Sequence, residues 1–334
     1  MDEKLRVVIE DDDLPMGAPR IQECIQLLRD KHGFDVVTFK QVYRTPDVGK
    51  TVIGAIVLYR GSDIRPIYTG KDLHLLPHLK FVGTMGIGVD HLDVRALAVA
   101  GVAVGNTPVV VGDGPADLAF ALMLASARNF KQGFELMKKD FDPVKDRDIS
   151  LQFGVNVVNA TIGIIGLGNI GFRVAKRARG FDMKILYNDL YRRTPEDEAA
   201  MGVTFVPNLH DMLGQADFVV VCCPCTPQTE KLIGKKEFDA MKSTTTFVNV
   251  ARGKIVDTDA LVDAIRHSKI RAAAVDVTDP EPLPRDHPLL YFPNVIVLPH
   301  RGGATFKTMH DMLDILADSI KKISRGEPIT NRVP

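Results

Sequence analysis

Thr161-Ile162-Gly163-Ile164-Ile165-Gly166-Leu167-Gly168-Asn169-Ile170-Gly171 is the stretch that decides the fold. A β-like run, Thr161 to Ile165, leads into a G-x-G-x-x-G turn, and a helix-like run from Phe172 to Gly180 follows. In such a turn the first glycine permits the tight bend and the second lets backbone approach a pyrophosphate. The third lets the helix pack on the strand. N–H groups at Asn169 and Ile170 would face the anion, with the helix dipole behind them. Gly166, Gly168, Asn169, Ile170 and Gly171 are therefore candidate cofactor-binding residues. A merely tight strand-to-helix turn would share the glycines; the strand before and the helix after favour the phosphate cradle.

The next strand candidate, Lys184 to Tyr187, ends at Asn188-Asp189. A carboxylate about 20 residues past the turn can bond an adenosine ribose and repel a 2′-phosphate, which favours NAD. Arg192 and Arg193 follow closely and could neutralise a phosphate instead, so NADP stays open; they could equally line a solvated loop.

Further out, β-like and helix-like runs alternate along the chain. Val7–Ile9, Val36–Phe39, Ala55–Leu58, Phe81–Thr84 and Val102–Val104 are strand candidates before the turn. Val203–Phe205, Phe218–Val221, Phe247–Val250, Ala272–Val277 and Val295–Leu298 are candidates after it. Between them fall amphipathic stretches such as Arg20 to Lys31, with Ile21, Ile25 and Leu28 at spacings of three and four. The alternation predicts an α/β protein with parallel sheets covered by helices. Asn106-Thr107-Pro108 interrupts it, and Pro115 opens an apolar helix from Ala116 to about Phe130, proline being harmless in a first turn. The final helix, about Thr305 to Ser324, carries Met309, Met312, Leu313, Leu316, Ile320 and Ile323 on one face. Gly326 and Pro328 stop it. The pattern predicts two doubly wound domains, 1–106 with 303–334 and 107–302, crossed twice by the chain and hinged about a cleft.

Bulk properties narrow the function classes. The chain has 334 residues, enough for two domains, and its 42 basic and 42 acidic residues cancel. Without a basic field, phosphate-driven nucleic-acid binding is not expected. The charged Met1-Asp2-Glu3-Lys4 leads into a strand-like Leu5–Ile9, which reads as neither signal peptide nor membrane segment. Four cysteines suggest a reducing, cytoplasmic compartment. Cys222-Cys223-Pro224-Cys225 contains a C-x-x-C spacing, but it ends an apolar strand candidate and precedes no obvious helix start. Packing at a strand end is favoured over a redox pair, and no metal site is expected.

Three residues then suggest chemistry: Arg252 in Asn249-Val250-Ala251-Arg252-Gly253, Glu281 in Asp279-Pro280-Glu281-Pro282, and His300 after Leu298-Pro299. A phosphate cradle followed by a cation, a carboxylate and an imidazole is a set of parts for reducing a keto acid with a nicotinamide cofactor. Each has a plainer reading: Arg252 could cap a strand end, Glu281 could be a solvated loop carboxylate, and His300 a loop histidine.

With these motifs in order, the chain resembles the D-isomer-specific 2-hydroxyacid dehydrogenases, most of all their glyoxylate/hydroxypyruvate reductase branch. The resemblance runs from about Phe81 onward. Thr84-Met85-Gly86-Ile87-Gly88-Val89-Asp90-His91-Leu92-Asp93, the glycine turn, Asn249 to Asp257, Asp276 to Leu283 and Leu298-Pro299-His300 carry it. It implies a flavodoxin-like substrate domain, a Rossmann cofactor domain and an oxidoreductase that makes D-2-hydroxy acids. It also implies roles. Arg252 would bind the substrate carboxylate and keto oxygen with its planar fork. Tyr59 and the backbone N–H groups of Ile87 and Gly88 would hold substrate from the other domain. His300 would protonate the alkoxide, and Glu281 would orient His300 and favour its protonated form. Asp276 would receive the nicotinamide carboxamide, and Cys223, Val250, Ala251, Gly302 and Gly303 would line the cofactor groove. His91 beside Asp90 looks like a further acid–base pair, but the resemblance makes it structural.

The chain also departs from the family's pattern. Asn156 to Thr161 lacks the common Gly-Lys, no tryptophan is present, Gly112 replaces a frequent hydroxyl residue, and Arg301 replaces an apolar one. Tyr59 and Arg60 fall in a loop expected to face the site. These changes leave the substrate open, with Arg60 or Arg301 suggesting a larger or more anionic keto acid than glyoxylate. Two rival functions remain. A formate-dehydrogenase-like reading pairs histidine with glutamine, against Glu281. An NAD-binding corepressor-like sensor of the same fold could retain all three residues. A homodimer is expected, with the Ala116–Phe130 helix as a possible seam, although internal packing would explain its apolar character equally well.

Overall fold

A computed structural model describes residues 4–9, 18–58, 73–89, 91–108, 110–138, 142 and 153–333. The chain divides into two compact units, 1–111 with 303–334, and 112–302.

The first unit holds β1 (Arg6–Ile9), β2 (Asp35–Thr38), β3 (Val52–Leu58), β4 (Phe81–Met85) and β5 (Ala103–Gly105). They form one parallel sheet in the order β2-β1-β3-β4-β5, the flavodoxin-like arrangement. Successive strand residues point to opposite faces, and both faces are apolar. Val7, Ile9, Ile56 and Phe81 pack with Met309, Met312, Leu313, Leu316 and Ile320 of the helix Phe306–Ser324. Val8, Val57, Val82, Leu97 and Val104 form the core on the other side. Thr305 caps the last helix, its hydroxyl accepting the Thr308 N–H at 3.1 Å.

The second unit holds β6 (Thr161–Ile165), β7 (Lys184–Asn188), β8 (Val203–Phe205), β9 (Phe218–Val221), β10 (Thr246–Asn249), β11 (Ala272–Val275) and β12 (Val295–Val297). The sheet is parallel, in the order β12-β11-β10-β9-β6-β7-β8. Strand order reverses between β6 and β9, and ligands of open α/β sheets bind at the carboxyl ends beside such a switch point. Ile162, Ile164, Tyr187, Val220 and Val248 face one core, and Ile165, Leu186, Val219, Phe247 and Val275 face the other. Each fold is therefore the doubly wound α/β class expected from the alternating runs.

Two elements differ from the sequence reading. Phe39, placed at a strand end, begins the helix Phe39–Arg44. The Thr38 hydroxyl accepts the Gln41 N–H at 3.3 Å while Gln41 Oε1 accepts the Thr38 N–H at 2.8 Å, a reciprocal cap that switches the chain from strand to helix. The expected helix to Phe130 stops at Ala127, because Asn129 adopts a left-handed φ of 54°. A second helix, Phe130–Met137, follows. Among the described residues no helix is long and apolar enough to cross a membrane.

Cys222, Cys223 and Cys225 follow β9 as half-buried thiols outside any disulfide, packed against the two cores. Burial pushes the Cys222 thiol well above its ordinary value and the Cys223 thiol up to about 12. Such a group is ionised to about one part in 10⁴ at pH 8, too little to act as a redox nucleophile. Iodoacetamide labelling of the folded protein at pH 8, mapped by mass spectrometry, should leave Cys222 and Cys223 unmodified until denaturant is added. Rapid labelling of either in the folded state would revive the redox reading.

Candidate active site

The glycine turn leaves β6 at the switch point. Gly166 takes a φ of 91°, and a side chain there would bring a Cβ within 2.6 Å of the Cys223 backbone nitrogen and Cα. A Cβ on Gly171 would overlap the Gly166 carbonyl oxygen. Both positions are closed by protein packing. Gly168 differs: a Cβ there would meet nothing within 4 Å, so the second glycine borders open space. It is the N-cap of the helix Asn169–Arg179 and makes no side-chain cap bond. First-turn N–H groups of a helix have no intrahelical acceptor, so the turn offers a concave backbone surface suited to a pyrophosphate. Those residues fit a dinucleotide.

Asp189 stands just past β7. Its Oδ2 accepts the Leu167 N–H at 2.6 Å and its Oδ1 the Tyr191 N–H at 3.2 Å. Arg193 donates Nη2 to the Leu167 carbonyl at 2.7 Å. Arg192 is held elsewhere, donating Nε and Nη2 to the two carboxylate oxygens of Glu198 at 2.9 and 3.0 Å. The buried Tyr187 hydroxyl donates to the same Glu198 at 2.7 Å. Glu198 is held below the usual carboxylate range by Arg192 first and by Tyr187 second.

Val250, Ala251 and Arg252 follow β10. Buried Asn249 shapes this turn, its Oδ1 accepting the Ala251 N–H at 3.0 Å and its Nδ2 donating to the Arg252 carbonyl at 2.9 Å. Arg252 Nη1 donates to the Ala251 carbonyl at 2.8 Å.

Asp276, only 1% exposed, follows β11. Its carboxylate accepts the backbone N–H groups of Arg301 at 2.6 Å and Gly302 at 2.7 Å. Its own carbonyl accepts the His300 N–H at 2.7 Å, and its N–H donates to Asn249 at 2.9 Å. The carboxylate expected to face the nicotinamide carboxamide thus holds the backbone of the His300 loop. Each carboxylate oxygen has more than one lone pair, so this bonding leaves acceptor capacity.

His300 itself takes a φ of 52°. Its Nδ1 lies 2.7 Å from Glu281 Oε1, with the two side chains 25% and 12% exposed. Because a carboxylate only accepts, Nδ1 carries the proton in this pair, and proton exchange falls to Nε2. The Glu281 loop is tied by Thr258 Oγ1 donating to the Asp279 carbonyl and Thr278 Oγ1 donating to the Pro280 carbonyl, both at 2.8 Å. Two positions brought together from opposite ends of a stretch of chain thus form one histidine–carboxylate pair.

In the first unit, Ile87 and Gly88 follow β4. Asn106 Nδ2 donates to the Ile87 carbonyl at 2.9 Å, and Thr107 donates its N–H and hydroxyl to the Gly86 carbonyl at 2.9 and 3.1 Å. Residues read as a break in the pattern therefore hold the turn. His91 is buried, with Nε2 2.9 Å from Thr84 Oγ1. Tyr59 and Arg60 lie outside the described residues, as does Asp90. Gly302 ends the second unit and Gly303 resumes the first. The sequence reading missed Asn249, Thr258, Thr278, Asn106 and Thr107 as supports; small polar residues at the carboxyl ends of apolar strands were the available signal. Among the described residues no group of three or more His, Cys, Asp or Glu could hold a metal ion.

Comparison with known proteins agrees with this geometry. A profile described as "D-isomer specific 2-hydroxyacid dehydrogenase, NAD binding domain" matches residues 120–302. D-3-phosphoglycerate dehydrogenase of Methanocaldococcus jannaschii is 40% identical over 257 residues, 76% of this chain and 47% of that enzyme. The chain thus spans about half the length of that relative. The human glyoxylate reductase/hydroxypyruvate reductase is 38% identical over 261 residues, 77% of each chain. Among solved structures, the NADPH-dependent glyoxylate/hydroxypyruvate reductase of Sinorhizobium meliloti, in complex with NADP and malonate, superposes with a TM-score of 0.78. It is 28% identical, covering 99% of this chain and 97% of that one. A dinucleotide turn at the switch point and a carboxylate-oriented histidine thus accompany full-length similarity, and the chain belongs to the D-isomer specific 2-hydroxyacid dehydrogenases as an NAD(P)-dependent oxidoreductase.

Proposed function

We propose that the protein reduces a small 2-keto acid of the glyoxylate or hydroxypyruvate type to the D-2-hydroxy acid, with His300 as general acid. The 2.7 Å pairing of His300 Nδ1 with Glu281 carries this reading. It orients the imidazole and places the transferable proton on Nε2, where the developing alkoxide would receive it. When bound, the nicotinamide supplies the hydride. Arg252 holds the substrate carboxylate and polarises the keto oxygen through its fork of donors. The backbone N–H groups of Ile87 and Gly88 hold the same carboxylate. Asp276 acts through the backbone, fixing the Arg301 and Gly302 amides and so the height of His300. The 112–302 unit would then be the cofactor domain and the other unit the substrate domain. Four cysteines in 334 residues, too sparse for a disulfide framework, fit an enzyme of the cytoplasm. Arg301, exposed and next to the acid, favours a keto acid larger or more anionic than glyoxylate.

The test is a steady-state screen of 2-keto acids against NADH and NADPH, with His300→Gln beside the parent. The variant should lose roughly 10² to 10⁴ in kcat while NADH affinity survives. An unchanged kcat would refute the acid assignment, and glyoxylate outrunning every larger keto acid would remove the role given to Arg301. NADH binding without oxidation by any 2-keto acid would favour a sensor.

The same reading includes a homodimer. The Asp113–Ala127 helix buries Ala116, Ala119, Phe120 and Met123 in its own unit's core, so internal packing accounts for that face. The helix Phe130–Met137 instead exposes Phe130, Phe134 and Met137, on neighbouring turns of one face. With Leu118, Ala121 and Leu298 they border an apolar groove of about 800 Å³. Lys131 pins this helix by donating to the carbonyls of Leu290, Phe292 and Val295 at 2.9, 2.7 and 2.9 Å. An apolar, rigidly held surface of this kind marks an interface, and a second copy is its proposed occupant. Phe134→Asp should convert a dimer to a monomer in sedimentation while the far-UV spectrum stays that of the folded parent; a monomeric parent would sink the proposal.

A further inference from the structure

Past the helix Phe306–Ser324 the chain turns back along the edge of the first unit's sheet. β5 ends that sheet, and an edge strand presents N–H and C=O groups that its neighbour does not take. Residues 331–333 take them. Gly105 and Arg332 form an antiparallel bridge, and the Val333 N–H donates to the Val104 carbonyl at 2.8 Å. Asn331 engages both backbone groups of Asn106, just beyond β5. Its carbonyl accepts the Asn106 N–H at 3.1 Å, and its Nδ2 donates to the Asn106 carbonyl at 2.8 Å.

The far side of the Asn331 amide is fixed as well. Its Oδ1 lies 2.8 Å from the hydroxyl of Ser319, a buried residue of the last helix. Because a carbonyl only accepts, Nδ2 faces Asn106 and Oδ1 faces Ser319. Gly105 leaves the space for this arrangement. A Cβ there would come within 3.1 Å of Asn331 Nδ2 and 2.7 Å of the Phe81 ring. The half-buried Asn331 side chain thus bridges the last helix and the end of β5.

The grip passes onward through Asn106. Its Nδ2 donates to the Ile87 carbonyl at 2.9 Å, while the neighbouring Thr107 holds the Gly86 carbonyl. Ser319, Asn331, Asn106 and Ile87 therefore form one chain of hydrogen bonds from the last helix to the turn after β4. Without the Asn331 side chain the Asn106 carbonyl must turn to water, and its peptide is released to rotate and draw Nδ2 away from Ile87. Amides held in place before a ligand arrives lower the ordering cost of binding it. We infer that Asn331 is a positioning residue for the substrate, setting through Asn106 the Ile87 and Gly88 amides that receive the keto acid carboxylate. The inference rests on the proposed role of that turn.

Steady-state kinetics on the full chain decide it, using the keto acid that the parent reduces best and oxamate as an unreactive carboxylate analogue. The parent is compared with Asn331→Ala, Ser319→Ala, Asn106→Ala and Val333→Pro, and each is also measured for NADH affinity by fluorescence and for thermal midpoint. Loss of one preorganising hydrogen bond corresponds to about 3- to 10-fold in affinity. Asn331→Ala should raise KM and the oxamate inhibition constant together by that factor, with kcat and NADH affinity held. Ser319→Ala, which frees only Oδ1, should move both constants the same way by less, and it carries the test where Asn331→Ala does not fold. Val333→Pro loosens the same tail at Val104 without touching Asn106; it should lower the thermal midpoint and leave KM alone. Constants that rise in Asn106→Ala but stay at the parent value in Asn331→Ala and Ser319→Ala would overturn the inference and spare the role of the turn. An equal rise in Val333→Pro would overturn it too, showing only a loosened sheet edge. Constants unmoved even in Asn106→Ala, or a parent that reduces no 2-keto acid, would remove the reading of the turn and this inference with it.

Discussion

A buried carboxylate that accepts two backbone amides holds the candidate site together. Asp276 is almost fully removed from water, and a bare carboxylate there would be costly. The cost is offset by short bonds from the Arg301 and Gly302 N–H groups, while the Asp276 backbone bonds Asn249 on one side and His300 on the other. The end of β10, the end of β11 and the loop carrying the imidazole are thereby joined at one residue. His300 sits in a left-handed conformation that an isolated chain would rarely visit, and these bonds supply the constraint that keeps it there.

The same economy recurs around each strand end. Asn249 closes the Arg252 turn, Thr258 and Thr278 tether the loop that carries Glu281, and Asn106 and Thr107 hold the turn at Gly86 and Ile87. These side chains are short and satisfy carbonyl or amide groups that the sheet leaves unpaired beyond its strand ends. They fix the backbone that carries the candidate side chains without adding bulk to the site. Around the glycine turn the solution is charged, with Asp189 and Arg193 on opposite ends of one peptide.

Apolar surface divides in a similar way between the core and an outward face. The long helix candidate breaks at Asn129, so its first part joins the core and its second part turns an apolar face outward. A sequence pattern cannot separate those two uses, because both require the same residues at the same spacing. A left-handed asparagine makes the separation.

Much of the architecture was legible in the chain. The alternation of β-branched runs and amphipathic stretches specified two parallel, doubly wound sheets, because burial on both faces demands near-continuous apolar strands. Thr161–Ile165 followed by Gly166, Gly168 and Gly171 marked the switch-point turn, since only glycine permits the bend and the close packing seen at Gly166 and Gly171. What the sequence left open were partnerships between distant residues. The pairing of Glu281 with His300 was implied by the family resemblance alone; no spacing in the sequence encodes 2.7 Å, which follows from where the chain places two loops. Asp276 could be read from the sequence only as a ligand-facing carboxylate, and the fold adds two backbone amides to it. Arg192 and Arg193 are adjacent and chemically identical, yet tertiary structure gives one to Glu198 and the other to Leu167. Local chemistry determined which elements form; only the packing of those elements decided which charges and amides meet, because hydrogen bonds depend on distances set by the whole fold.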